Sequence, residues 1–116
     1  MRKFKNLKIW EEGIEIVTAI YKLTSDFPEE EKFGLVSQMR RSAVSIPSNI
    51  AEGYGRNSDP ELNRFLNISR GSTYELETQL IISKNLDFIS GEALESISAQ
   101  LDNIQGGITN FHKKLK

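Results

Sequence analysis

Cysteine is absent from this chain, histidine occurs once, at position 112, and proline only at 28, 47 and 60. Without cysteine there is neither a disulfide framework nor thiolate chemistry. A single histidine, His112, near a fraying C-terminus among lysines, leaves zinc without its usual ligand set. No Glu-x-x-His pair occurs, and Glu75 and Glu77 point to different faces of a helix, which disfavours the di-iron carboxylate centre that some bundles carry. Long apolar runs are also missing. The basic opening Met1-Arg2-Lys3-Phe4-Lys5 is followed by Trp10 among Glu11, Glu12 and Glu15, so it reads as neither a secretory signal nor a membrane span. The expectation is a cytoplasmic protein with no cofactor and no membrane contact. Charge of one sign is lacking too. Fifteen Lys and Arg stand against sixteen Asp and Glu, a net charge of −1, so composition alone gives no pointer to nucleic acid and the distribution of charge has to be followed instead.

What is present is helical periodicity. No strict apolar–polar alternation is long enough for a strand, and there is no internal repeat. The 116 residues suit one domain, 1–116, large enough to bury a core without metal or disulfide staples. A first helix is expected over 7–25, with Asn6 as N-cap. It carries two apolar stripes: Leu7, Trp10, Ile14, Val17 and Tyr21, and beside them Ile9, Gly13, Ile16, Ile20 and Leu23. A helix that is apolar over so much of its circumference needs more than one neighbour. A second helix is expected from Phe33 to Gly53, with Gly53 as the residue beyond its end and a kink at Pro47. Ser58-Asp59-Pro60-Glu61 signals a third start, with a cap, proline at the first helical position and early negative charge. That helix runs to about Leu86, with Phe65, Ile68, Leu76 and Ile82 among its apolar contacts and small residues from Ser69 to Thr73. The fourth, after Ser90, has the cleanest seam: Leu94, Ile97, Leu101, Ile104, Ile108, Phe111 and Leu115. Short joints at 26–32, 54–59 and 87–90 favour antiparallel neighbours. The fold expected is all-α, an antiparallel up-down-up-down four-helix bundle.

One polar constellation stands out. Gln38, Arg41, Ser45, Asn49 and Glu52 recur at spacings of three and four, hence on one face of the second helix beside its apolar face. The third helix offers Ser69, Ser72, Glu75 and Gln79 opposite, and Arg41 is expected near Glu75. Three readings stay open. The plain one is a solvated face. The second is a buried hydrogen-bonded network that fixes helix register or subunit contacts. The third is a catalytic site built on Arg41, Asn49 and Glu52, for which no nucleophile–base pair is evident. Gly53-Tyr54-Gly55-Arg56 is too short for a phosphate-binding fingerprint and reads as a helix end and turn.

The expected topology also sorts the charge. Both termini and the middle joint fall at one end, which gathers Arg2, Lys3, Lys5, Lys8, Arg56, Arg64, Lys113, Lys114 and Lys116, offset in part by Glu11, Glu12, Glu52, Asp59 and Glu61. The other end carries Asp26, Glu29, Glu30, Glu31, Asp87, Glu92 and Glu95 against Lys22, Lys32 and Lys84. A basic end of this kind attracts phosphate backbones through counterion release. The plain alternative is that basic tails serve solubility.

The run Phe4-x-x-Leu7-x-x-Trp10, Phe27-Pro28, and Gly34-Leu35-x-x-Gln38-x-Arg40-Arg41-Ser42-Ala43-x-Ser45-Ile46-Pro47-x-Asn49-Ile50-Ala51-Glu52-Gly53 resembles the four-helix bundle family of 23S ribosomal RNA intervening-sequence proteins. Phe65-Leu66-x-Ile68-Ser69-x-Gly71-Ser72-x-x-Glu75-Leu76-Glu77-Thr78 extends the match over most of the chain. The resemblance implies a bacterial protein that assembles as a ring-like homopentamer. It also implies similarity to the accessory variability determinant protein of diversity-generating retroelements, which binds reverse transcriptase and nucleic acid. It implies no reaction, substrate or cofactor. The expected function is therefore a non-enzymatic assembly and binding protein whose partners are its own copies and RNA or a nucleic-acid-handling protein. A scaffold with no ligand beyond itself, and an enzyme using Arg41, Asn49 and Glu52, are the alternatives.

Overall fold

Serine side chains start two of the four helices. In the computed structural model, which describes residues 3–115, Ser58 Oγ accepts from the Glu61 N–H at 3.3 Å and Ser90 Oγ from the Ala93 N–H at 3.0 Å. Each satisfies one of the orphan donors of a helix N-terminus. The helices are α1 (Lys8–Thr24), α2 (Leu35–Tyr54), α3 (Asp59–Asn85) and α4 (Gly91–Lys114), with short 3-10 turns at Phe4–Asn6 and Glu29–Glu31. No strand occurs among the described residues. At a rise of about 1.5 Å per residue, the 27 residues of α3 account for most of the 44 Å long axis.

Several boundaries differ from expectation, each for a local reason. Asn6 does not cap α1. It closes the preceding 3-10 turn, and Leu7 is the N-cap, with no side-chain cap bond. Leu7 instead packs against the core. Phe33 lies outside α2, which begins after Gly34. Pro60 is the second residue of α3, not the first. Gly53 is inside α2, because the helix continues to Tyr54 and the chain departs at Gly55 with right-handed φ −83°. What Gly53 provides is proximity: a Cβ there would stand 2.7 Å from Phe65 Cβ. Pro47 is buried in mid-helix and removes the donor for the Ala43 carbonyl. Its ring lies against Gly13, where a Cβ would come within 3.1 Å of Pro47 Cβ, so the bare glycine allows α1 to close on α2. The only non-glycine residue with positive φ among those described is Asp87, at 64°. It turns the chain from α3 toward α4, a conformation that aspartate tolerates.

α2 lies along α3, α1 along α2, and α4 closes against both α3 and α1. The stripe of α1 that faces the core is Ile9, Gly13, Ile16 and Ile20, continued by Thr24. The other stripe is only partly covered: Leu7, Trp10 and Val17 are half-buried and pack against the core, whereas Ile14 and Tyr21 are 40% and 43% exposed. The expected core contacts Ile68 and Ile82 of α3 are likewise 41% and 43% exposed. α3 is apolar on more sides than its neighbours α2 and α4 cover. The α4 seam is as expected, with Ile97, Leu101, Ile104 and Ile108 buried. No helix is long and apolar enough to cross a membrane among the described residues.

Candidate functional site

The polar stripe divides into bonded and free residues. Ser72 Oγ donates to the Ile68 carbonyl at 3.2 Å. Its single proton is then used, so Ser45 Oγ is the donor in the 2.8 Å Ser45–Ser72 contact. Ser45 Oγ in turn accepts from Asn49 Nδ2 at 2.9 Å, and the same amide reaches the Ser45 carbonyl at 2.8 Å. Ser69 Oγ donates to the Ile46 carbonyl at 2.9 Å. These bonds bracket Pro47 and tie the interrupted stretch of α2 to the small-residue stretch of α3. Gln79, two turns further along α3, is buried, and its Oε1 has no hydrogen-bond partner.

The remaining stripe residues do not join. Glu52 is an ion-pair partner of Arg56, at 3.0 Å. Gln38, Arg41 and Glu75 are exposed and make no hydrogen bond or ion pair among the described residues, so the expected approach of Arg41 to Glu75 is not made within the chain. Arg41 and Ser45 line an open groove of about 670 Å³ on the α1–α2 side, whereas Glu52 lines a separate shallow depression with Ser48 and Arg56. Arg41, Asn49 and Glu52 thus do not line one depression. The arginine that links helices is its neighbour. Arg40 Nε donates to Thr24 Oγ1 at 2.9 Å and Nη2 to the Tyr21 carbonyl at 3.4 Å, while its guanidinium lies 4.4 Å from the Tyr21 ring centroid. It satisfies the C-terminal turn of α1, where cations are favourable. Of two adjacent arginines only one can face α1, and the spacing pattern singled out the other.

Two aromatic pairs lie in the segments that carry the cations singled out from the sequence. Tyr54, at the end of α2, meets Phe111, near the end of α4, at 6.0 Å between centroids, and Phe4 meets Trp10 at 5.3 Å. Lys3, Lys5, Lys8, Lys113 and Lys114 are exposed and form no ion pair among the described residues. Arg2 and Lys116 lie outside the described residues. Arg56 and Arg64 are exposed but preordered: each pairs with a carboxylate, Glu52 at 3.0 Å and Glu61 at 3.5 Å, and each stacks on Phe65, at 4.9 Å and 4.6 Å from its centroid. The role of Phe65 as their common platform was hidden by its equally good fit to the α3 core pattern. Phe27, between α1 and α2, and Phe88, between α3 and α4, pair at 5.3 Å; Asp26, Glu29, Glu30, Asp87, Glu92 and Glu95 are exposed and Glu31 is half-buried. His112 is half-buried with Nδ1 unpartnered, and no group of three potential metal ligands occurs among the described residues.

Comparison with known proteins agrees with this architecture. A crystal structure of a protein of unknown function from the S23 ribosomal protein family of Bacteroides thetaiotaomicron VPI-5482 superposes with a TM-score of 0.85 at 26% identity, over 91% of this chain and 96% of the other. No curated protein matches the chain. The model of the 23S rRNA-intervening sequence protein family matches residues 5–110. With nearly the whole bundle inside that match, the chain belongs to the family of 23S rRNA-intervening sequence proteins.

Proposed function

We propose that this chain is a non-enzymatic assembly and binding protein: an up-down-up-down bundle that associates with its own copies and offers its basic end to RNA or to a nucleic-acid-handling protein. The binding half is supported by the Tyr54–Phe111 contact, which joins the ends of α2 and α4 and, in an up-down-up-down bundle, gathers Lys3, Lys5, Lys8, Arg56, Arg64, Lys113 and Lys114 at one end. Cations from three separated segments share one end of a chain whose net charge is −1. The two arginines are held on an aromatic ring, which lowers the entropy lost when they engage a phosphate. Cross-helix bonds support the topology: Ser69 with Ile46, Thr73 with Gln105, and Arg40 with Thr24. The observation that carries the assembly half is the apolar surface left on α1 and α3, including Ile14, Tyr21, Ile68 and Ile82. A closed ring of about five copies is the reading in keeping with the family.

Filter binding of a structured RNA across a salt series tests the proposal. Affinity is expected to fall steeply as salt rises, because each phosphate neutralised releases condensed counterions. Absence of binding at low salt would remove the nucleic-acid half. Assembly without RNA binding would leave the scaffold reading.

A further inference from the structure

We infer that copies of this chain pair head to tail, the groove on the α1–α2 side of one copy receiving the α3 stripe Ile68, Glu75, Ile82 and Leu86 of the next, with Arg41 set against Glu75 across the joint. This rests on the assembly proposed above and assigns it two surfaces. The exposed large apolar side chains among the described residues lie on α1, α2, α3, the segment before α2 and the C-cap of α3, and none lies on α4. They leave α4 as the face turned away from a partner. Around the groove Phe33 is 89% exposed, with Tyr21 and Val44 at 43% and 38%. Ile68, Glu75 and Ile82 of α3 and Leu86, its C-cap, are spaced by seven, seven and four, which is one helical face, and Leu86 is 54% exposed.

Charge decides how these surfaces combine. The groove is lined by Lys32, Arg40 and Arg41 and by no carboxylate. Groove against groove about a two-fold axis would oppose like charges, which disfavours self-pairing of that surface. The α3 stripe offers the complement. Glu75 is exposed and unbonded within its own chain, and Arg41 is in the same condition. Arg40 is held by Thr24 and Tyr21 and Lys32 lies over the ring of its neighbour Phe33 at 5.6 Å, which leaves Arg41 as the groove's cation without a contact among the described residues. Phe33 precedes α2 and Leu86 follows α3, and these two junctions meet through Phe27 and Phe88. Both surfaces therefore reach the same end of the bundle. Successive copies joined in this way keep that end on one side, and a rotation that closes gives a ring with every basic end on the opposite rim.

Light scattering on purified full-length variants tests the pairing. Arg41→Glu and Glu75→Arg are each expected to weaken association about tenfold or more, and the double reversal to restore it to within about threefold of wild type, the signature of a direct pair. Val44→Asp and Ile82→Asp each break a different surface. Each alone is expected to be a monomer of 13.2 kDa, and an equimolar mixture a dimer of twice that mass, because one intact joint remains. Circular dichroism excludes unfolded variants, and Arg41→Gln with Glu75→Gln replaces any reversal that unfolds. A mixture that stays monomeric, or an oligomer indifferent to both charge reversals, overturns the pairing while leaving assembly intact. A wild-type monomer at about 100 µM, where even weak specific contacts are populated, overturns assembly and pairing together.

Discussion

Replacing Gly53 by alanine probes the closest approach between α2 and α3. An ideal Cβ there would lie 2.7 Å from Phe65 Cβ, 3.1 Å from Leu62 Cδ1 and 3.3 Å from the Leu62 carbonyl. The nearest of these atoms is a Cβ fixed to the α3 backbone, so relief requires the helices to part. Overpacking of this kind costs about 1–3 kcal/mol. Alanine recovers about 1 kcal/mol of helix propensity relative to glycine. A 2.7 Å contact with a Cβ that cannot swing away puts the clash in the upper part of that range, about 2–3 kcal/mol, and a net loss of about 1–2 kcal/mol is expected. At roughly 5 °C per kcal/mol for a domain of this size, Tm should fall by about 5–10 °C. Gly106 is the internal control: it is exposed within α4 and a Cβ there meets nothing within 4 Å. Gly106→Ala should therefore leave stability unchanged or raise it by up to about 1 kcal/mol. Urea unfolding monitored by circular dichroism measures both. The reasoning fails if Gly53→Ala is as stable as wild type, or if both variants shift alike.

Three further outcomes follow from named contacts. Ser72→Ala removes the acceptor of the Ser45 hydroxyl and should cost about 1 kcal/mol, and Ser45→Ala added to it should cost less than the sum of the two, measured by denaturant unfolding. Ser58→Ala deletes the α3 cap and should also cost about 1 kcal/mol, with the loss largely recovered in Ser58→Asp. Lys113→Glu with Lys114→Glu should leave Tm nearly unchanged, since both side chains are exposed, while RNA affinity falls and its salt slope becomes shallower by roughly one or two.

Much of the fold was legible because it rests on local chemistry. Ser58 and Ser90 announce their helices by capping, and the α4 seam is a single apolar stripe with no competitor. α1 was ambiguous for the opposite reason: two stripes are equally apolar, and the choice between them is made by α2. Gly13 was the available clue, since only the stripe containing it could accept the Pro47 ring. Ile68 and Ile82 misled in the same way, because an apolar side chain reports what it would gain from burial but not whether a neighbour arrives. Asn6 is a good cap by type, but the apolar seat of Leu7 holds the chain in a different entry. Within the polar stripe, spacing places Ser45, Asn49 and Glu52 on one face but does not distinguish a bonded network from a solvated face, because the partner Ser72 belongs to another helix. Arg40 was not legible either, since its partners Thr24 and the Tyr21 carbonyl belong to another helix and carry no sequence spacing relative to it.

Native mass spectrometry of the wild-type protein with a structured RNA at low ionic strength tests assembly and binding in one spectrum. The expected species is an oligomer at an integer multiple of 13.2 kDa that carries RNA and loses it as salt is raised. A lone 13.2 kDa species with no RNA adduct would contradict both assembly and binding.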